Sequence, residues 1–201
     1  MKIAIDLNDV VRDFSTNFLK YYCERYNHEF DLNDFEYWTN DMAALFPFAS
    51  DNAYLNFTYS DYAYELFGKC DTCDPTLVSL FGNWADNVIP NMDLDEPIEL
   101  MIVSPKEYGL SIGATLFFLS KIGCSIREIY FPNVALTIWD KCDVLITANP
   151  DLLKYKPEGK IGIKIKQEYN KEVESDYDYP RFTDFLKDEE IVKKLAEKNN
   201  S

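Results

Sequence analysis

Five short apolar runs recur along the chain at wide intervals, and they constrain its fold more than any other feature. They cover residues 2–6, 99–104, 127–131, 143–148 and 160–165. Each run is continuous rather than alternating, which is typical of strands buried on both faces of a parallel sheet. Helical segments separate the later runs. The pattern therefore predicts right-handed crossovers and an α/β fold with a doubly wound parallel sheet.

Helices are predicted where apolar residues recur with helical spacing. These segments cover residues 15–26, 111–122, 136–141, 150–155 and 183–199. Gly123 ends the second segment. Thr183 is expected to cap the last, whose acidic start and basic end complement the helix dipole. This last helix is expected to lie on the surface.

The interval between the first two strands is much longer than the others and is rich in aromatic and acidic residues. Its helical fragments predict a helical cap inserted after the first strand. We expect residues 15–90 to form this cap. Residues 1–14 and 91–201 would then form the α/β core.

The composition limits the classes of function. Hydrophobic residues make up 47% of the chain, which is enough for a packed core. The formal net charge is −15, and this acidic field excludes nucleic acid and anionic membranes as partners. No apolar stretch approaches the roughly 20 residues that span a bilayer, and no signal peptide is recognised. The protein is expected to be soluble and cytoplasmic, or to act in a host cytoplasm or virion if a phage encodes it.

Cysteine usage gives little support for metal or redox chemistry. Cys70 and Cys73 form the only close pair among five cysteines. A zinc site needs about four ligands, and the sequence holds one histidine. A loop or a helix start is therefore favoured over a metal or redox role for this pair.

Polar residues directly follow the first strand. Asp6 ends the apolar run, and Asn8 and Asp9 crowd the turn before two valines. Open α/β sheets bind ligands at the carboxyl ends of their strands. This segment resembles motif I of the haloacid dehalogenase (HAD) superfamily. It is most similar to that of the 5'(3')-deoxyribonucleotidase-like phosphatases, which carry Asp-x-Asp-Gly-Val here.

The resemblance implies roles for these three residues. Asp6 would be the nucleophile that forms an aspartyl phosphate. Asn8 stands at the position of the general acid and base, where an amide cannot exchange a proton. Asp6 and the Asn8 carbonyl would be the Mg²⁺ ligands. Asp9 would contact the substrate, and because it replaces a glycine its turn must be left-handed or reshaped.

Two later strand ends extend the resemblance. Ser104 matches the motif II hydroxyl that would bind a phosphoryl oxygen, and Lys106 would add positive charge for the substrate. Residues 143–150 keep the frame of motif IV. Thr147 and Ala148, however, stand at the usual acid positions of the metal site, so the resemblance implies an incomplete site for Mg²⁺.

The motif III lysine is open between two interpretations. Lys141 is the candidate catalytic lysine, although Thr137 falls nearer the position that the family uses. Lys141 is equally explained as a charge at the end of a helix. Asp151 lies one turn beyond motif IV and is the acid that would restore part of a metal site.

Two functions follow from a resemblance that runs from residue 1 to about 170. The first is a catalytically degenerate, nucleotidase-like HAD protein (a pseudoenzyme) retained as a binding or structural protein. Its Mg²⁺ binding would be weak or absent, its ligand a nucleotide or phosphate, and its protein partner would contact the aromatic cap. The alternative is an active HAD-type phosphatase or 5'-nucleotidase. It would use Asp6 to hydrolyse a nucleoside monophosphate or another small phosphate ester.

Overall fold

The computed structural model describes residues 1–29, 39–94 and 96–199, and a parallel sheet lies at its centre. The strands are β1 (Lys2–Asp6), β2 (Glu99–Val103), β3 (Glu128–Tyr130), β4 (Val144–Thr147), β5 (Ile161–Ile165) and β6 (Tyr177–Tyr179). Their order is β3-β2-β1-β4-β5-β6, and every neighbouring pair is parallel. The predicted α/β fold with a parallel sheet is confirmed.

Helices cover both faces of the sheet and build the insertion. The α-helices are α1 (Phe14–Tyr26), α2 (Met42–Leu45), α3 (Asp51–Asn56), α4 (Leu77–Asn83), α5 (Leu110–Lys121), α6 (Pro150–Lys154), α7 (Phe182–Leu186) and α8 (Glu189–Asn199). π-helical turns occupy Phe57–Asp61, Tyr64–Gly68 and Trp84–Val88. Turns of 3₁₀ helix occupy Ile89–Asn91, Ala135–Asp140 and Glu168–Asn170. Within the described part of the chain, no helix is long and apolar enough to cross a membrane.

The prediction of one surface helix over residues 183–199 is wrong in two respects. The segment forms two helices, because the Asp188 carboxylate accepts the Ile191 N–H and starts α8. Thr183 is fully buried and caps nothing, since its hydroxyl donates to the Asp74 carboxylate at 3.2 Å. Both helices contribute buried residues to the core beside the sheet.

The insertion after β1 is mainly helical where it is described, and the described part of residues 14–91 gives no strand to the sheet. One cluster of apolar residues holds its first part together: Phe14, Phe18, Leu19, Tyr22, Met42, Phe46, Phe57, Leu66, Phe67 and Ala114. Leu77, Phe81 and Trp84 belong instead to the core of the sheet. The predicted cap boundary at residue 90 therefore falls beyond a helix that packs on the sheet. Residues 30–38 of the predicted cap lie outside the described residues.

Candidate functional site

The carboxyl ends of β1, β2 and β4 bring three predicted residues to one edge of the sheet. Asp6 is in register with Val103, so Ser104 follows at the same edge. One Asp6 carboxylate oxygen accepts the Thr147 hydroxyl at 2.6 Å, and the other accepts the Leu7 N–H at 2.8 Å. The expected position of these residues is confirmed. Their catalytic roles stay predictions.

Asp6 is almost completely buried, with 2% of its surface exposed. Loss of hydration raises the pKa of its carboxyl group to about 6, against the lowering effects of the Thr147 and Leu7 hydrogen bonds and the Arg12 charge. Both oxygens already accept hydrogen bonds from the protein. The group is therefore held in a fixed orientation before any ligand arrives.

Asp9 turns the chain after β1 and is itself a buried carboxylate. Its φ of 58° is left-handed, a conformation that glycine adopts without steric cost and that other residues adopt rarely. Its carboxylate accepts the Ser15 N–H at 2.9 Å, the Ser15 hydroxyl at 2.5 Å and the Tyr169 hydroxyl at 2.8 Å. Burial raises the pKa of Asp9. The predicted substrate contact is thus a carboxylate already bonded within the turn.

Arg12 is the most extensively bonded residue of the site, and the sequence motifs did not single it out. Its side chain is fully buried. Its five N–H groups have five acceptors: Asn8 Oδ1, the Phe67 carbonyl, Thr115 Oγ1, Ser104 Oγ and Glu107 Oε1. The guanidinium also lies 4.8 Å from the centroid of the Phe67 ring. Arg12 therefore ties the loop after β1 to the cap, to α5 and to the loop after β2.

Glu107 supplies the opposite charge. Its Oε1 lies 2.5 Å from Arg12 Nη2, and its side chain is 1% exposed. The Ser104 hydroxyl donates to the same oxygen, while the Thr115 hydroxyl donates to Oε2 at 2.6 Å. The Ser104 hydroxyl, which the resemblance assigned to a phosphoryl oxygen, therefore already has an acceptor inside the protein.

The loop after β4 is arranged by neutral side chains. Thr147 Oγ1 accepts the Asn149 N–H at 3.0 Å, and the Asn149 side chain caps α6. Ala148 is fully buried. Asn170 donates to the Ala148 carbonyl at 2.8 Å and to the Ile165 carbonyl at 2.9 Å, which holds the ends of β4 and β5 together.

The remaining predicted residues are not all brought to this edge. Lys106 is exposed, has a φ of 63° and lines the same cavity as Asp6. Lys141 lies just before the amino end of β4. The residues that follow it, Asp143 and Val144, pair with the start of β1. The structure thus places Lys141 at the opposite end of the strand from Thr147. Asp151 is exposed in the first turn of α6.

The loop with the close cysteine pair supports the turn after β1. The Cys73 N–H donates to the Val11 carbonyl at 3.1 Å, and the Asp13 N–H donates to the Asp71 carbonyl at 3.0 Å. Both thiols are free, and burial raises the pKa of Cys70 to about 11. A thiol with this pKa is a weak nucleophile at neutral pH.

A cavity of about 90 Å³ opens above the carboxyl end of β1. Its lining includes Asp6, Asn8, Asp9, Phe14, Asp41, Tyr54, Tyr59, Phe67, Lys106 and Tyr169. Pockets for small organic ligands usually hold about 300–1,000 Å³. The volume of this cavity lies below that range.

The side chains at this edge do not fit Mg²⁺, which prefers carboxylate and other charged or polar oxygen ligands. The resemblance places the metal site at four positions, which are Asp6, Asn8, Thr147 and Ala148, and Asp6 is the one carboxylate among them. Both oxygens of Asp6 already accept hydrogen bonds. The Asn8 side-chain oxygen accepts a hydrogen bond from Arg12 at 2.7 Å, and the Thr147 hydroxyl donates a hydrogen bond to Asp6. Within residues 1–29, 39–94 and 96–199, no group of three His, Cys, Asp or Glu side chains is arranged to hold a metal.

Sequence reasoning missed Arg12, Glu107, Thr115, Tyr169 and Asn170. Glu107 stands next to Lys106, which was chosen for its charge, and Arg12 stands at the end of the motif I segment. An arginine directly after an apolar pair was a usable signal for burial with a partner, since buried arginine needs one. Apart from Asn8, its partners are distant in sequence, so no spacing identified them.

The central parallel sheet and the helical insertion after β1 define an α/β fold with a carboxylate at the end of its first strand. No family model matches the sequence, and no curated protein sequence matches it. Solved structures do match. YfnB of Bacillus subtilis, described as a HAD-hydrolase and determined bound to magnesium, is 10% identical with a TM-score of 0.54, over 92% of this chain and 96% of that chain.

A haloacid dehalogenase-like family hydrolase from Xanthomonas campestris gives a similar result. It is 11% identical with a TM-score of 0.52, over 100% of this chain and 97% of that chain. At these identities the likeness shows the fold. This chain therefore has the fold of HAD-family hydrolases along its length.

Proposed function

We propose that this chain is a nucleotidase-like HAD protein whose phosphatase site is degenerate and which acts as a binding or structural protein. The observation that carries the proposal is the Arg12 network. All five N–H groups of Arg12 are bonded, and its partners include Ser104 and Asn8, two of the residues that the resemblance assigns to catalysis. A phosphoryl group would have to break this buried network to reach Ser104.

Proton transfer is the second argument for degeneracy. Asn8 replaces the general acid and base, whose contribution is typically about 10²–10⁴-fold in rate. Asp9, the next acid, is bonded to Ser15 and Tyr169 within its own turn. Asp9 is therefore poorly placed to act in place of Asn8.

The alternative of an active phosphatase is favoured by one observation. Asp6 and Lys106 line the same cavity, so a nucleophile and a cation face a common space. The two functions predict different results in the same assay. We would measure phosphate release from a panel of nucleoside monophosphates, with and without Mg²⁺, for the unmodified protein, Asp6→Asn and Asn8→Asp.

We expect no turnover above the Asp6→Asn control for the unmodified protein. Asn8→Asp alone should also stay inactive, because the introduced carboxylate would pair with the adjacent Arg12 guanidinium rather than shuttle a proton. Mg²⁺-dependent release by the unmodified protein, lost in Asp6→Asn, would establish the active alternative and reject the degenerate one.

A protein partner is part of the proposal. Leu110, Leu116 and Phe117 of α5 are exposed, and the centroid of the Phe117 ring lies 5.0 Å from that of the exposed Tyr64 ring of the cap. Aromatic and large apolar residues are enriched in protein interfaces. This exposed group supports a binding role that does not depend on turnover.

A further inference from the structure

The cavity above β1 has walls made of aromatic rings. Phe14 and Phe67 lie 5.2 Å apart between ring centroids, and Phe67 and Tyr59 lie 5.8 Å apart. Tyr54 stands almost perpendicular to Tyr59, at 87° and 6.4 Å. Tyr169 completes the aromatic lining. A ligand in this cavity would therefore contact aromatic side chains.

The charged groups around the cavity favour a cation over an anion. Three aspartates line it, namely Asp6, Asp9 and Asp41, against Lys106 as the one cationic residue among the described lining residues. The nearby Arg12 and Glu107 neutralise each other. The whole chain carries a formal net charge of −15, which adds to the attraction for cations.

Two donors at this edge are already in use within the protein. The Leu7 N–H donates to Asp6, and the Ser104 hydroxyl donates to Glu107. An incoming phosphate would therefore meet three carboxylates, with Lys106 as the cationic group beside them. A cation would be attracted to this cavity, because aromatic faces attract positive charge and the carboxylates add to that attraction.

One ring of the cavity already binds a cation within the protein. The Arg12 guanidinium lies 4.8 Å from the Phe67 ring centroid, within the distance of about 6 Å typical of cation–π contacts. We propose that the cavity binds a small, weakly hydrated organic cation, such as a methylated ammonium. Its volume of about 90 Å³ is well below the roughly 300–1,000 Å³ of pockets for drug-sized ligands, which favours a small ligand. The inference rests on the proposed binding function, for which it names the ligand class.

Isothermal titration with tetramethylammonium chloride tests the proposal. Sodium chloride at equal ionic strength controls for general salt effects, ammonium chloride tests a strongly hydrated cation, and sodium phosphate tests the anion. The variants are Tyr59→Leu, which removes an aromatic face, and Asp41→Asn, which removes an exposed charge and keeps the oxygen that caps α2. Tyr155→Leu is the matched control, because Tyr155 is exposed and remote from the lining.

We expect tetramethylammonium to bind and ammonium, sodium and phosphate not to bind. Tyr59→Leu should weaken binding by about 2- to 30-fold, Asp41→Asn should also weaken it, and Tyr155→Leu should leave it unchanged. Absence of tetramethylammonium binding, equal affinity in Tyr59→Leu and Tyr155→Leu, or tighter binding of phosphate would overturn the inference. These outcomes are separate from the phosphate-release assay, so failure of the ligand class is distinguishable from failure of the degenerate function.

Discussion

Arg12→Met leaves the Glu107 carboxylate in the protein interior without its counter-ion. Both side chains are at most 1% exposed, and the closest N–O distance is 2.5 Å. Removing one partner of a buried ion pair typically costs about 3–5 kcal/mol, chiefly because the remaining charge is buried and unpaired. The Asn8, Thr115 and Phe67 oxygens lose their donor as well. We therefore expect Arg12→Met to lower the free energy of unfolding by about 4 kcal/mol.

The double variant Arg12→Met/Glu107→Gln separates charge burial from packing. The Ser104 and Thr115 hydroxyls donate to different Glu107 oxygens. Glutamine retains an oxygen that can accept one of these hydroxyls and an amide N–H that can donate to the other, and no unpaired charge remains. We expect the double variant to be more stable than the sum of the two single losses predicts, by about 2–3 kcal/mol. Arg181→Met is the matched control. Arg181 pairs with Asp74 and Asp184 but is 59% exposed, so its loss should cost less than about 1 kcal/mol.

Urea unfolding followed by circular dichroism is measured for the unmodified protein and four variants: Arg12→Met, Glu107→Gln, the double variant and Arg181→Met. With an m-value of about 2 kcal/mol per molar, the loss expected for Arg12→Met moves the midpoint by about 2 M. Two results would refute the reasoning. One is a midpoint for Arg12→Met equal to that of Arg181→Met, and the other is simple additivity of the single losses in the double variant.

Three further predictions concern stability. The folded pKa of Asp6 of about 6 lies above its unfolded value, so its contribution to stability is full below about pH 4 and is lost as the pH rises through 6. Asp6→Asn should then gain up to roughly 3 kcal/mol over the unmodified protein at pH 8 and little at pH 4, and a pH-independent difference in urea midpoint would contradict this assignment. Asn170→Leu removes the donor to two carbonyls and should lower the free energy of unfolding by about 2–4 kcal/mol. Asn87→Ala, at an exposed position, should lower it by less than about 0.5 kcal/mol. Equal thermal midpoints for these two variants would count against the bridging role of Asn170. Phe18→Ala removes a fully buried ring of the cap cluster and should cost about 3–5 kcal/mol, well above the loss for the exposed Phe117→Ala, as measured by differential scanning calorimetry.

The fold was predictable because buried parallel strands leave a strong local pattern. Runs such as residues 99–104 and 160–165 are apolar and continuous, and β2 and β5 lie within them. The strand β6 leaves no such signal. Its three residues, Tyr-Asp-Tyr, alternate between half-buried rings and an exposed acid, and a strand at the sheet edge needs no continuous apolar run.

The candidate site was predictable only in part. The ends of parallel strands necessarily meet at one edge, so the grouping of Asp6, Ser104 and Thr147 follows from the sequence. The hydrogen-bond partners of each hydroxyl do not follow from the sequence. Ser104 accepts a hydrogen bond from Arg12, which lies 92 residues away in the chain, and no local spacing encodes such a contact. Its other partner, Glu107, is a near neighbour in sequence.

The central position of β1 affects how the chain folds during synthesis. Lys2 pairs with Glu99, and Ile3 pairs with Val144, so both neighbours of this strand are made long after it. At about 5–20 residues per second, an emerging β1 waits on the order of ten seconds for its second neighbour. During that interval its apolar residues are unpaired, so the nascent chain can aggregate or bind chaperones. The aromatic cluster of the insertion is complete much earlier, so the cap can collapse first and wait for the sheet to form beside it.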